Sequence, residues 1–299
     1  MELVTVGGGD IEVEVLPRLG ARLHRLRVFG HDLLRTPDDA GAHARDPVFW
    51  GSYVMAPWCN RIEAGVPVAV GPRRISLSSN FPDGTAIHGQ VFTRPWETEG
   101  EGSFVIRGGG DGWPWEYEVR QRIAAEGGTL RLDHALTNLS DAPMPAGLGI
   151  HPWFRRPLQV AIRGARVHPR NVATRPQPVP VSGAFDLREM RDMPPDLDGC
   201  WTDLGEPPVE VHWPGVGIHA TMRVVIGIEP NESMRLRASS LLHVVMASPS
   251  HLDAVGVEPQ THAPHGLRRL LNGEPGRLSM LEPGQALGLA VELAFERAR

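Results

Sequence analysis

A large antiparallel all-β sandwich is what the sequence predicts, and three observations predict it. Apolar and polar residues alternate in twos over many short segments, the pattern of strands with one buried face. Turn signals recur about every ten residues, the spacing of antiparallel sandwiches and barrels. Helical periodicity is scarce. Glycine (34) and proline (28) together make about a fifth of the 299 residues, above the usual ~12% but short of the disordered range. Many tight turns between short strands account for the excess.

The strands can be taken in order. Ile11, Val13 and Val15 alternate with Glu12 and Glu14, and Leu26 and Val28 repeat the pattern before Gly30. Residues 36–47 hold many breakers and read as a loop. Ile75 and Leu77 alternate ahead of Asn80-Phe-Pro-Asp-Gly84, a turn signal. Phe104–Arg107, Tyr117–Ile123 and Leu130–Leu136 each alternate, and Leu287, Leu289, Val291, Leu293 and Phe295 fall on one face. Residues 186–193 are expected to form one or two helical turns, stopped by Pro194-Pro195. Residues 169–185, punctuated by Pro169, Pro176, Pro178 and Pro180, read as extended and too short to separate two domains. The expectation is a single domain spanning residues 1–299.

Composition excludes several functions. The formal net charge is −5, which argues against nucleic acid or an anionic membrane as partner. There is no lysine, so every basic side chain is arginine. Schiff-base chemistry, pyridoxal phosphate and a Walker A loop all need that missing amine. Two cysteines, Cys59 and Cys200, do not make a disulfide scaffold and read as packing residues. No apolar run reaches about 18 residues, and Met1-Glu-Leu-Val-Thr-Val6 lacks the basic start of a signal peptide. A cytoplasmic protein, monomeric or homodimeric, is expected.

Five scattered segments combine polar chemistry with breakers or aromatics: Ala56-Pro-Trp-Cys-Asn-Arg-Ile62, Ala86-Ile-His-Gly-Gln90, Pro145-Ala-Gly-Leu-Gly-Ile-His-Pro-Trp-Phe154, Leu197-Asp-Gly-Cys-Trp201 and Val255-Gly-Val-Glu-Pro-Gln-Thr-His262. A site assembled from many strands fits a ligand-holding sheet face, whereas a nucleotide fold concentrates its motif in one loop. In the third segment, small residues precede His151, which Pro152 biases toward an extended conformation. A histidine between glycines and tryptophan suits a proton donor on the wall of a pocket for a polar ring. Trp58, Trp153 and Trp201 each adjoin a polar motif, and flat aromatics suit the apolar face of a sugar.

Asn60-Arg61-Ile62 with Gly65, Gly71, Leu77 and Asn80 leading to His88-Gly89 resembles the first half of the aldose 1-epimerase (galactose mutarotase) family. His151-Pro-Trp-Phe154 is similar to its central histidine motif, Leu197-Asp198 to its Leu-Asp segment, and Val257-Glu-Pro-Gln-Thr261 to its C-terminal glutamate motif. Order and spacing agree over about residues 10–295. The resemblance implies a galactose mutarotase-like supersandwich that binds a small sugar without cofactor or metal. It implies Glu258 as general base, His151 as general acid and His88 as a second site histidine. Arg61, beside Asn60, and Asp198 would contact sugar hydroxyls, with Trp153 and Trp201 as flanking platforms. Asp196, two residues earlier, competes with Asp198 for that role. Tryptophan stands at position 153 where the family often has tyrosine.

The chemistry stands without the family. Exchanging the anomers of a cyclic sugar needs a base for the C1 hydroxyl and an acid for the ring oxygen, which a carboxylate and an imidazole supply near neutral pH. The two are expected to face each other across one pyranose. Three alternatives compete. His88, His151 and Glu258 would suit zinc or iron, but no tight ligand motif is present, and His262 and His265 are interrupted by Pro264. A non-catalytic carbohydrate-binding protein would not need the acid/base pair. Arg155-Arg156 or Arg73-Arg74 would suit a hexose phosphate.

Overall fold

The computed structural model describes residues 2–169, 177–229 and 241–298. Among these, fifteen strands form one largely antiparallel sheet and four N-terminal strands form a second. The second runs Val4–Gly8, Ile11–Leu16, Arg22–Val28, His31–Asp32 in sequential order. It packs against the long strand Trp113–Glu126. Alternation is why these segments are strands: in Trp113–Glu126 the residues Trp113, Trp115, Tyr117, Val119, Gln121 and Ile123 are buried. Gln121 is the polar member of that row. Its amide donates to Ala21 O at 2.7 Å and its Oε1 meets His134 Nε2 at 3.0 Å, so the buried amide is satisfied while joining the two sheets.

The large sheet runs in the order Glu97–Gly100, Ser103–Gly110, Trp113–Glu126, Thr129–Asn138, Ala286–Arg297, Ile218–Glu229, Leu197–Trp213, His243–Ser248, Ala254–Gln260, Gly149–Ile150, Val54–Met55. Leu197–Trp213 changes partner midway. Leu197–Trp201 pair with His243–Ser248, whereas Val209–Trp213 pair with Ile218–Glu229. This divides the sheet into a structural half and a half that carries the segments around His151, Asp198 and Glu258, while Arg61–Glu63 and Thr85–Ile87 pair in a two-stranded sheet of their own.

The expected helix over 186–193 is absent. Arg191–Asp192 instead form a short strand on Gln159–Pro169, and Leu187 O accepts the Ile162 amide at 2.6 Å. Asp186 binds the Arg188 guanidinium, a local side-chain contact that does not need helical turns. The loop 36–47 contains one short helix, Ala42–Arg45, and the sequence reading missed Gly266–Leu271. Of the 169–185 segment, residues 170–176 lie outside the described residues; Val179–Pro180 is a strand. Among the described residues no helix is long and apolar enough to cross a membrane.

Candidate active site

Strand register brings three of the motifs together. Val245 pairs with both Cys200 and Glu258, and Ala247 with both Asp198 and Gly256, which also faces Trp153. One row of the sheet therefore reads Trp153, Gly256, Ala247, Asp198, and the next reads Glu258, Val245, Cys200. The middle of the first row is nearly free of side chains, and a cavity of about 300 Å³ opens there, at the small end of ligand pockets (~300–1,000 Å³). Its walls include Asn60, Arg61, His88, His151, Trp153, Asp198 and Glu258.

His151 and Glu258 touch: Nε2 lies 3.1 Å from Oε1, and both side chains are 3% exposed. They stand side by side rather than across a ring-sized gap, which corrects the expected arrangement. Burial pushes the Glu258 carboxyl well above its ordinary range, and the Asp198 charge adds to this. Burial also holds the His151 imidazole far below its ordinary range. Both shifts favour the uncharged forms, so the pair carries one proton across neutral pH. Among the described residues Glu258 Oε2 is buried and has no protein hydrogen-bond partner.

Rings fix the imidazole in place. Tyr53 lies 4.9 Å from His151 at 31°, Trp153 4.8 Å at 34°, and His88 5.0 Å edge-on. Trp153 is anchored through its indole N–H to Val48 O at 2.7 Å, and Tyr53 through its hydroxyl to the same carbonyl at 3.0 Å. His88 Nδ1 accepts the Asn60 amide at 3.3 Å, which leaves the proton of the neutral ring on Nε2. Its basicity is lowered by burial and then by His151 and Arg61. Asn60 and His88 both have left-handed backbone conformations (φ 55° and 60°), an uncommon cost for non-glycine residues that fits a functional turn.

Arg61 projects from Arg61–Glu63, its Nε 2.7 Å from Asp83 Oδ2 and its guanidinium 5.3 Å from the Phe81 ring. Asp196 also lines the cavity, but its Oδ1 accepts the Ser250 amide at 2.9 Å, so Asp198 is the aspartate whose charge acts on Glu258. Trp201 does not line the cavity. It is fully buried and donates to Phe185 O at 3.0 Å. Strand alternation explains this, because position 201 is three residues from 198 and lies on the opposite face. Trp58 is likewise a core residue, bound to Ala86 O at 3.2 Å.

Sequence reasoning passed over Tyr53, Phe49, Phe81, Asp83 and His251. Phe81 and Asp83 lay inside a stretch read only as a turn, where an aromatic and an acid beside Asn80 were the available signal. His262 proves to be scaffolding: Nε2 accepts the Cys59 amide at 3.0 Å and Nδ1 donates to Ala263 O at 2.7 Å. It ties the segment carrying Asn60 and Arg61 to the end of the Glu258 strand. Both cysteines are buried and free. Among the described residues, His88, His151 and Glu258 have donor atoms within 4.8 Å of one another.

Solved structures share this architecture. A galactose mutarotase-like protein from Clostridium acetobutylicum is 15% identical with a TM-score of 0.81, over 99% of this chain and 95% of that one. A galactose 1-epimerase from Lactobacillus acidophilus NCFM is 16% identical with a TM-score of 0.75, over 99% and 95%. A galactose mutarotase-like protein from Lactobacillus casei ATCC 334 is 15% identical, TM-score 0.73, over 99% and 100%. No curated protein matches by sequence. The galactose mutarotase-like fold is thus shared over nearly the whole chain. The sequence profile of the aldose 1-epimerase family matches residues 2–293, and the chain belongs to that family.

Proposed function

We propose that the protein interconverts the α and β anomers of a free aldohexose such as glucose or galactose. The observation that carries this reading is the buried contact of Glu258 with His151 at the cavity wall. The C1 hydroxyl and the ring oxygen are bonded to one carbon, so the groups that serve them must lie side by side, as these do. Shifting the shared proton from carboxyl to imidazole makes a carboxylate and an imidazolium. The carboxylate takes the C1 hydroxyl proton as the imidazolium protonates the ring oxygen, and the C1–O5 bond breaks. The open aldehyde then turns about C1–C2, and reversal of both transfers closes the other anomer. With the ring open, the pair holds its one proton on the carboxyl, the form that burial favours. His88, Arg61 and Asp198 hold hydroxyls, and Trp153 flanks the site.

A neutral sugar fits better than a phosphate. The cavity carries Asp196 and Asp198, and its one arginine, Arg61, is already paired with Asp83. Three of the four candidate phosphate arginines are committed elsewhere: Arg155 to Leu34 O at 2.8 Å, Arg156 to Met193 O at 3.3 Å, and Arg73 to Pro114 O and Asp141.

Polarimetry of fresh α-glucose and α-galactose tests the proposal. Glu258→Gln and His151→Asn are expected to slow mutarotation by about 10²–10⁴ with unchanged circular dichroism, and glucose 6-phosphate is expected to be the poorer substrate. Either variant matching the wild-type rate would refute the roles. A wild-type protein that binds sugar without accelerating exchange would be a carbohydrate-binding protein instead.

A further inference from the structure

Arg22 is a cation in the described core. It is fully buried, and among the described residues no carboxylate pairs with it. Unpaired buried cations cost several kcal/mol, so this one calls for a function. Its contacts are Leu19 O at 3.2 Å, Pro47 O at 3.0 Å, Phe92 O at 2.8 Å and His43 Nδ1 at 3.2 Å. His43 Nε2 in turn meets His24 Nδ1 at 2.9 Å. Because Arg22 can only donate, His43 accepts at Nδ1 and carries its proton on Nε2, so both histidines in this line are neutral. Nothing in the line cancels the guanidinium charge. The one outlet is forward: the guanidinium carbon sits 5.1 Å from the centre of the Tyr53 ring, which lies against His151.

We propose that Arg22 is a positioning residue that presses Tyr53 against His151 and sets a fixed cation one ring behind the imidazole. The groups facing His151 are Glu258 from Ala254–Gln260, His88 from the turn after Thr85–Ile87, Tyr53 ahead of Val54–Met55, and Trp153. Of these, Glu258 stabilises an imidazolium only when ionised and the neutral rings carry no charge, so the formal cation set against the ring is Arg22, behind Tyr53. The same cation counts among the influences lowering His151, after burial. Asp46 is the acid whose charge acts on Arg22, and Glu14 stands 3.9 Å from His24 at the far end of the line.

The inference rests on His151 as the acid, and its test separates the two. The onset of the His151 ring titration is followed by NMR as pH falls from 7.5 to the point where the fold is lost, with His151→Asn for assignment, independently of polarimetry. Without the cation the imidazolium persists to higher pH. Arg22→Gln, which keeps amide donors but no charge, is expected to move the His151 titration up by about one pH unit. The acid limb of the rate profile should move with it, a tenfold loss of rate on that limb. Arg22→Lys is expected to restore the wild-type titration. Should Arg22→Gln not fold, His43→Asp gives the same readout, because it retains the Arg22 carbonyl contacts and neutralises the charge with an adjacent carboxylate. A titration coinciding with wild type in either folded variant overturns the inference. A shifted titration without mutarotase activity would uphold it and refute the proposed reaction.

Discussion

Gly256 sits directly beneath the two groups proposed to move the protons. A Cβ added there would lie 3.1 Å from His151 Cε1 and 3.3 Å from Glu258 Oε1. The neighbours must give by a few tenths of an ångström, which matters little to folding and much to proton transfer between positioned groups. Gly256→Ala is therefore expected to lower kcat about tenfold while moving the melting temperature by no more than about 3 °C. Unaltered kcat would mean that the pair tolerates displacement. At this scale Glu258, His151, His88 and Arg61 were legible as residues lining one cavity, because chemistry and motif order point to them. Trp201 was misread because a spacing of three residues from Asp198 puts the two on opposite faces of a strand. Tyr53 and Arg22 were invisible, since a buried aromatic and an arginine carry no local signal of what stands in front of them.

Among the elements, the turn from Asn80 to Gly84 does more than reverse the chain. Asp83 Oδ1 accepts from the Thr85 hydroxyl at 2.6 Å and from its amide at 3.1 Å, while Oδ2 holds Arg61. Arg61→Asp83 is a half-exposed ion pair, worth no more than about 1 kcal/mol. Asp83→Asn is thus expected to raise KM for the sugar by roughly fivefold and to leave kcat near wild type, as progress curves over a sugar series will read out. A kcat defect without a KM change would assign Arg61 to the reacting atoms instead. Strands were legible from alternation, as in Trp113–Glu126, because one face is buried and the other is not. The 186–193 segment was misread because short apolar spacing does not distinguish a helical turn from an edge segment. Gly266–Leu271 was missed because six residues are too few to show a period.

The whole molecule stores an acid sensitivity. His134, His243 and His262 are fully buried, and burial lowers each from 6.5 to about 4. The unfolded chain takes up these protons near pH 6.5 and the folded chain only near 4. Stability is therefore complete above pH 6.5 and is lost as pH falls toward 4, by roughly 3 kcal/mol for each histidine. Urea denaturation midpoints measured from pH 7.5 to 4.5 should fall steeply below about 6.5. A flat profile would mean that these rings are protonated without unfolding. None of this was readable from thirteen histidines in a sequence, because burial is a property of the assembled sheets.

The strand Ala286–Arg297 lies between Thr129–Asn138 and Ile218–Glu229 and pairs with both along most of its length. It is the latest strand to be synthesised among the described residues, yet it closes the centre of the sheet. On the ribosome, the two halves must therefore wait with open hydrogen-bonding edges until residue 297 emerges, a template for pairing with neighbouring chains. Production of this protein consequently depends on how those nascent edges are shielded, a demand set by strand order rather than by the sugar site.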